Sequence, residues 1–149
     1  MPDREARLGA LLEYEGRTGE ARVQYAAAAQ VARELGVRQL QCRAINGLGS
    51  VAFGEGRMDE ALMRFEQALT LAQEVGDRRM QGNLLGNLGN VHTEAGRLDE
   101  AIARSEEALA LARETGHRVL ESNTSCTLGM IYTLRDRLVD ASAALQSAL

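Results

Sequence analysis

Apolar residues recur along this chain on two periods. Locally they fall three and four positions apart. Leu8, Leu11 and Leu12 share one stripe, and Val23, Ala27, Val31 and Leu35 share another, which is the spacing of helices with one buried face. Over a longer range the pattern shifts by 40 residues and repeats: Leu8-Gly9, Leu48-Gly49, Leu88-Gly89 and Leu128-Gly129 stand in register, as do Ala21, Ala61, Ala101 and Ala141. Residues 41–80 and 81–120 are identical at 18 of 40 positions, which makes the period a true repeat. A repeat of this length holding two helical stretches buries its apolar faces only against its neighbours. The fold expected is therefore an all-α solenoid.

The pattern predicts four helix pairs in one unit over residues 1–149, with repeats at approximately 1–37, 38–77, 78–117 and 118–149. In each pair a first helix (helix A) runs to a break, and a second (helix B) returns. The fourth pair is expected over about 118–134 and from 139 onward. Gly16, Gly56 and Gly96 stand where helix A reverses, and Gly36, Gly76 and Gly116 where helix B ends. A left-handed residue after a helix is least strained as glycine. Asp59 and Asp99 are expected to cap helix B. Asp136 replaces the glycine in the fourth unit, so a strained turn is expected there. Gly49, Gly89 and Gly129 lie inside helix A, where each costs about 1 kcal/mol against alanine. That cost at one repeated phase points to close approach of helix B, with Ala21, Ala61, Ala101 and Ala141 as the facing positions. The last helix B is cut short at residue 149, as expected of a fragment of a longer protein or of an end covered by another chain.

Composition narrows the uses of such a scaffold. Hydrophobic residues make up 45% of the chain but aromatics only 3%, so the core is built from alanine and leucine. The net charge is −4, with arginines and acids interspersed instead of clustered. No basic stripe with aromatics argues for nucleic acid, and no apolar run is long enough for a bilayer or a signal peptide. Cys42 and Cys126 have no pairing pattern, which points to a reducing cytoplasm. Catalysis finds little support. His92 occupies a position expected to pack between helices, and His117 a turn expected to be exposed. Neither has metal-ligand spacing to a cysteine or carboxylate, and no cofactor or metal site is expected. The carboxylates at Asp59-Glu60 and Asp99-Glu100 are explained by helix starts.

The run from Leu-Gly to His92 or Tyr132, followed by Gly56-Arg57-Met58-Asp59-Glu60-Ala61 or Gly96-Arg97-Leu98-Asp99-Glu100-Ala101, resembles the tetratricopeptide repeat. The 40-residue unit, with Asn87-Leu88-Gly89-Asn90 in helix A and Gly76-Asp77-Arg78 after helix B, is similar to the repeats of spindle-orientation adaptors, bacterial Rap-type regulators and the sensor regions of large transcriptional activators. The resemblance implies a right-handed superhelix whose helix A residues line a concave groove for an extended peptide or a partner's segment. The carboxylate clamp of chaperone-binding relatives is not matched, because the corresponding positions read Ala6, Ala10, Gly47, Asn83 and Asn87.

The candidate site follows from helical spacing. Asn83, Asn87 and Asn90 fall at i, i+4 and i+7 on one face of a helix A. Asn123 continues that face one repeat on, and Asn46 and Ser50 lie near it one repeat earlier. The amide of asparagine offers two donors and an acceptor, so it can hold the backbone of a peptide whatever its side chains. Arg7 and Arg43 are expected on the same inner surface, where they would pair with acidic groups. The expected function is a non-catalytic scaffold binding protein or peptide in its groove. The alternatives are self-association through open repeat ends and a regulatory sensor region of a larger protein.

Overall fold

The computed structural model describes residues 2–148; Met1 and Leu149, the outermost residues of the predicted repeat unit, lie outside the described residues. Seven helices follow in order: α1 (Pro2–Tyr14), α2 (Thr18–Glu34), α3 (Arg38–Gly54), α4 (Met58–Val75), α5 (Arg78–Glu94), α6 (Leu98–Glu114) and α7 (Arg118–Ala148). The first six form three antiparallel pairs. The main contacts join sequence neighbours, with α1 also touching α3 and α5 touching α7. This is the expected superhelical stack, with α1, α3, α5 and α7 forming one wall.

The turns follow the glycine grammar. Gly16, Gly56 and Gly96 have φ of +75°, +75° and +73°, and the glycines ending α2, α4 and α6 are also left-handed. The amide of the residue after each turn glycine reaches back to a helix carbonyl, as in Arg57 N–H to Ala52 O (2.8 Å), while the glycine amide closes a shorter ring (Gly56 N–H to Phe53 O, 3.0 Å). These paired bonds satisfy the last carbonyls of the helix. The expected caps differ. Arg57 and Arg97 occupy the N-cap positions, without a side-chain cap bond, and Asp59 and Asp99 sit inside the first turn, where they act only on the helix dipole. The capping carboxylate is Asp77, which accepts from Met80 N–H at 3.0 Å.

The small-residue packing is real, but its partner differs from expectation. A Cβ built on Gly9 would lie 2.9 Å from the Tyr25 ring, one on Gly49 would lie 2.6 Å from the Phe65 ring, and one on Gly89 would strike Ser105. The facing residue is thus four positions after each alanine, and the glycine makes room for an aromatic ring in the first two pairs. Ala21, Ala61 and Ala101 are themselves completely buried. The expected stripe of α2 is also displaced: Val23 and Leu35 are exposed, and Ala21, Tyr25, Ala28 and Ala32 form the buried face. Leu8 and Leu11 are exposed as well, leaving Leu12 as the buried leucine of α1.

The fourth pair is not formed. α7 runs as one helix of 31 residues through the predicted turn. At the other three reversals the glycine takes a left-handed φ, which disfavours any residue with a Cβ, and Asp136 stays helical instead. From Thr133 to Ser147 every residue of α7 is exposed.

Candidate functional site

Helices α3, α5 and α7 place their asparagines together. A cavity of about 340 Å³ is lined by Asn46 of α3, Asn83, Asn87 and Asn90 of α5, and Asn123 of α7. Asn46, Asn83 and Asn87 are half-buried, and Asn90 and Asn123 are exposed. The Asn87 amide donates from Nδ2 to Asn46 Oδ1 at 3.0 Å, tying two repeats together. That bond uses one donor of Asn87 and one acceptor of Asn46, so each amide keeps capacity for a second partner. The glycines between the asparagines have a packing role. A Cβ on Gly82 would lie 3.1 Å from Leu120, and one on Gly86 would lie 3.3 Å from the same side chain. Their absence of side chain lets α7 draw close and closes the cavity on one side.

The other expected residues are distributed differently. Arg43 and Ser50 line a second cavity of about 260 Å³ with Ala6, Tyr25 and Gly47, and Asn46 borders both. Arg7 lines neither. Both arginines face a carboxylate of the chain itself, since Asp3 lies 3.2 Å from Arg7 and 3.3 Å from Arg43. His117, Thr124 and Thr127 also line the asparagine cavity. His117 is half-buried there, not freely exposed in a turn. Thr127 lies one helical turn beyond Asn123, so the same spacing reaches it. The repeat gives no such sign for His117, whose counterparts Val37 and Asp77 border a different hollow.

Apart from the His117 imidazole, the histidine and cysteine side chains lie outside this cavity. Cys42 is buried, its thiol donating to Ala68 O at 3.2 Å, and burial with a smaller push from Asp77 raises it to about 11. A thiol so held is protonated and unreactive at neutral pH. Cys126 is exposed, and both cysteines are free. His92 is buried and its Nδ1 has no partner among the described residues. Burial, and then the charge of Arg97, holds its imidazole below the ordinary 6.5. Between the lowered folded value and 6.5, the unfolded chain binds the proton more readily, so this contribution to stability is complete above pH 6.5 and is lost as pH falls. Replacing His92 by phenylalanine is expected to reduce the loss of stability between neutrality and about pH 5. Urea midpoints of the two proteins across that range check it, and parallel curves would count against it.

The stacked pairs and the polar groove along their A helices define a helical-repeat scaffold. The family model for the tetratricopeptide repeat matches residues 5–74, 40–114 and 80–149, and the chain belongs to that family. Curated proteins give no sequence match. Among solved structures, BtubC from P. vanneervenii is similar at 22% identity and a TM-score of 0.79, over 99% of this chain and 63% of that one. The apo form of RapI aligns at 15% identity and a TM-score of 0.86, over 98% of this chain and 53% of that one. PcrH, in complex with the chaperone-binding region of PopD, aligns at 18% identity and a TM-score of 0.74, over 89% and 92% of the respective chains. The chain therefore spans less than two thirds of the BtubC and RapI chains it resembles. Among the described residues no helix is long and apolar enough to cross a membrane.

Proposed function

We propose that this chain is a non-catalytic scaffold that holds an extended protein or peptide segment in the asparagine groove of α3, α5 and α7. The observation that carries the reading is the convergence of five asparagines from three successive A helices on one cavity. Amide side chains spaced by a helical turn along α5, and by a repeat across helices, match the donors and acceptors of a peptide backbone. A groove built on packed helices also leaves most of the ordering cost with the ligand. PcrH, which is crystallised with a region of PopD, supports the idea that a stack of this size has room for another protein's segment. Arg43 is placed to select acidic groups only where a ligand displaces Asp3, so it is assigned a secondary role and Arg7 a smaller one. Two free cysteines support a reducing, cytoplasmic setting.

The test is selection of a random peptide display library against the chain, followed by binding to the double variant Asn87→Ala/Asn90→Ala. Peptides taken by the original protein are expected to bind the variant about tenfold to a hundredfold more weakly, from neutral hydrogen bonds of about 1 kcal/mol each. Helix content and melting should change little, since Asn90 is exposed and the helix propensity gained at the two alanines offsets the lost Asn87–Asn46 bond. Enrichment of no peptide, or of peptides indifferent to the double change, would sink the proposal.

A further inference from the structure

One column of the repeat changes from a ring to a hydroxyl, and a cavity lies where it does. The buried B-helix residue facing the A-helix glycine is Tyr25 in the first pair and Phe65 in the second, but Ser105 in the third. The ring of Tyr25 reaches past Gly9 to Gly47, so it fills the space between α1 and the next A helix, α3. Ser105 is buried as the rings are, yet it is too short to span from α5 to α7. A second buried column shrinks at the same boundary. Leu84 shares a cluster with Phe65 where α5 meets α4, and its counterpart one repeat on is Thr124, also buried. The hollows follow the change. Ala6, Ala10, Tyr25, Arg43 and Gly47 border a cavity of about 260 Å³. Their counterparts two repeats on, Gly86, Asn90, Ser105, Asn123 and Thr127, all border the asparagine cavity of about 340 Å³. The larger hollow thus includes the ring's place between α5 and α7, and it is continuous with the asparagines of the groove.

We propose that this part of the cavity takes an aromatic side chain of the bound segment, which supplies the ring that the third pair lacks. The ring site stands on the register of the cavity; that the ring belongs to a bound segment rests on the groove reading. A face of amides holds an extended backbone with little regard to sequence, whereas a pocket for one side chain sets sequence and register. Tyr25 and Phe65 show that the stack accepts a six-membered ring at this depth, and Gly89 keeps the glycine that faces one. Among the described residues no arginine or carboxylate lines the cavity, so a charged side chain would lose water there without gaining a counter-charge. The hydroxyls of Ser105, Thr124 and Thr127 on the walls favour tyrosine over phenylalanine, because a buried phenol needs a partner.

N-acetyltyrosinamide, a single ring flanked by two peptide groups, is the direct probe. Titrated at millimolar concentration into the isotope-labelled chain, it is expected to shift the amide resonances of Gly89, Ser105 and Thr127, whereas N-acetylalaninamide is not. No such shift would overturn the ring site, whatever peptides the groove selects. Peptides selected by display are expected to share one aromatic residue, and replacing it by alanine should weaken binding roughly tenfold to a hundredfold. Ser105→Phe supplies the ring from the chain itself. It should abolish the tyrosinamide shifts and weaken the selected peptides to a similar degree, with melting unchanged or raised. Melting well below the parent would show that α5 and α7 already close over the space, which overturns the inference. Peptides that need Asn87 and Asn90 but tolerate both Ser105→Phe and loss of their aromatic residue would leave the groove standing and remove the ring site. Tyrosinamide shifts at these residues with no peptide selected would support the ring site and sink the groove reading.

Discussion

Gly47→Leu is expected to cost at least about 3 kcal/mol, above the usual range for overpacking because the struck side chain has nowhere to go. A Cβ at Gly47 would already meet the Tyr25 ring, with Cδ1 and Cζ both at 2.5 Å. On the opposite side the ring lies against Gly9, whose own Cβ would lie 2.9 Å away, and the hydroxyl is held by Glu13 Oε2 at 2.9 Å. Tyr25 is thus clamped between the backbones of α1 and α3. Gly47→Ala should be milder, because the gain in helix propensity of about 1 kcal/mol offsets part of the clash. Chemical denaturation of Gly47→Leu, Tyr25→Leu and the double variant checks the cause. The double variant is expected to lose less than the sum of the singles, with a coupling of about 0.5–3 kcal/mol. Additive losses, or a neutral Gly47→Leu, would mean that the ring moves aside freely.

That clamp also marks a limit of what repetition reveals. Gly47 stands in the column of Arg7, Asn87 and Thr127, so no second copy signals its role. Its contact with Tyr25 joins α2 to α3 across a repeat boundary, a pairing that the 40-residue register does not specify. The same register made Gly9, Gly49 and Gly89 conspicuous, yet it could not say whether they face the alanines at 21, 61 and 101 or the residues four later, because both lie on one helix face. The turn glycines were legible because a positive φ is a property of a single residue and recurs with it. The asparagines of α5 were legible as a face for the same reason that any helical stripe is, and the cavity gathers them with Asn46 and Asn123. Arg7 and Arg43 owe their expected place to their position in the repeat; the i, i+4 spacing of Asp3 and Arg7 accounts for the first carboxylate contact, whereas the contact of Asp3 with Arg43 on α3 follows only from the packing of α1 on α3. Asp136 predicts a strained turn, and the chain avoids the strain by not turning.

Leu84→Ala is expected to cost about 2–5 kcal/mol, the range for deleting a large buried side chain where the surroundings relax little. Leu84 is completely buried in a cluster that draws on α3, α4, α5 and α6, including Phe65, Leu69, Leu88 and Leu111. In a stack where each pair leans only on its neighbours, such a cavity weakens the central couplings without touching the outer ones. Hydrogen exchange should therefore show amides of α4 to α6 opening at markedly lower free energy than in the parent, while the α1–α2 pair, held by Leu12, Tyr25 and Val51 in a separate cluster, changes less. Leu134→Ala, at an exposed position of α7, serves as the control and is expected to stay within about 0.5 kcal/mol of the parent. An equal loss of protection in every helix would mean that the chain unfolds as a single cooperative core. The modular stack, and with it the assignment of the groove to rigid neighbouring A helices, would then be wrong.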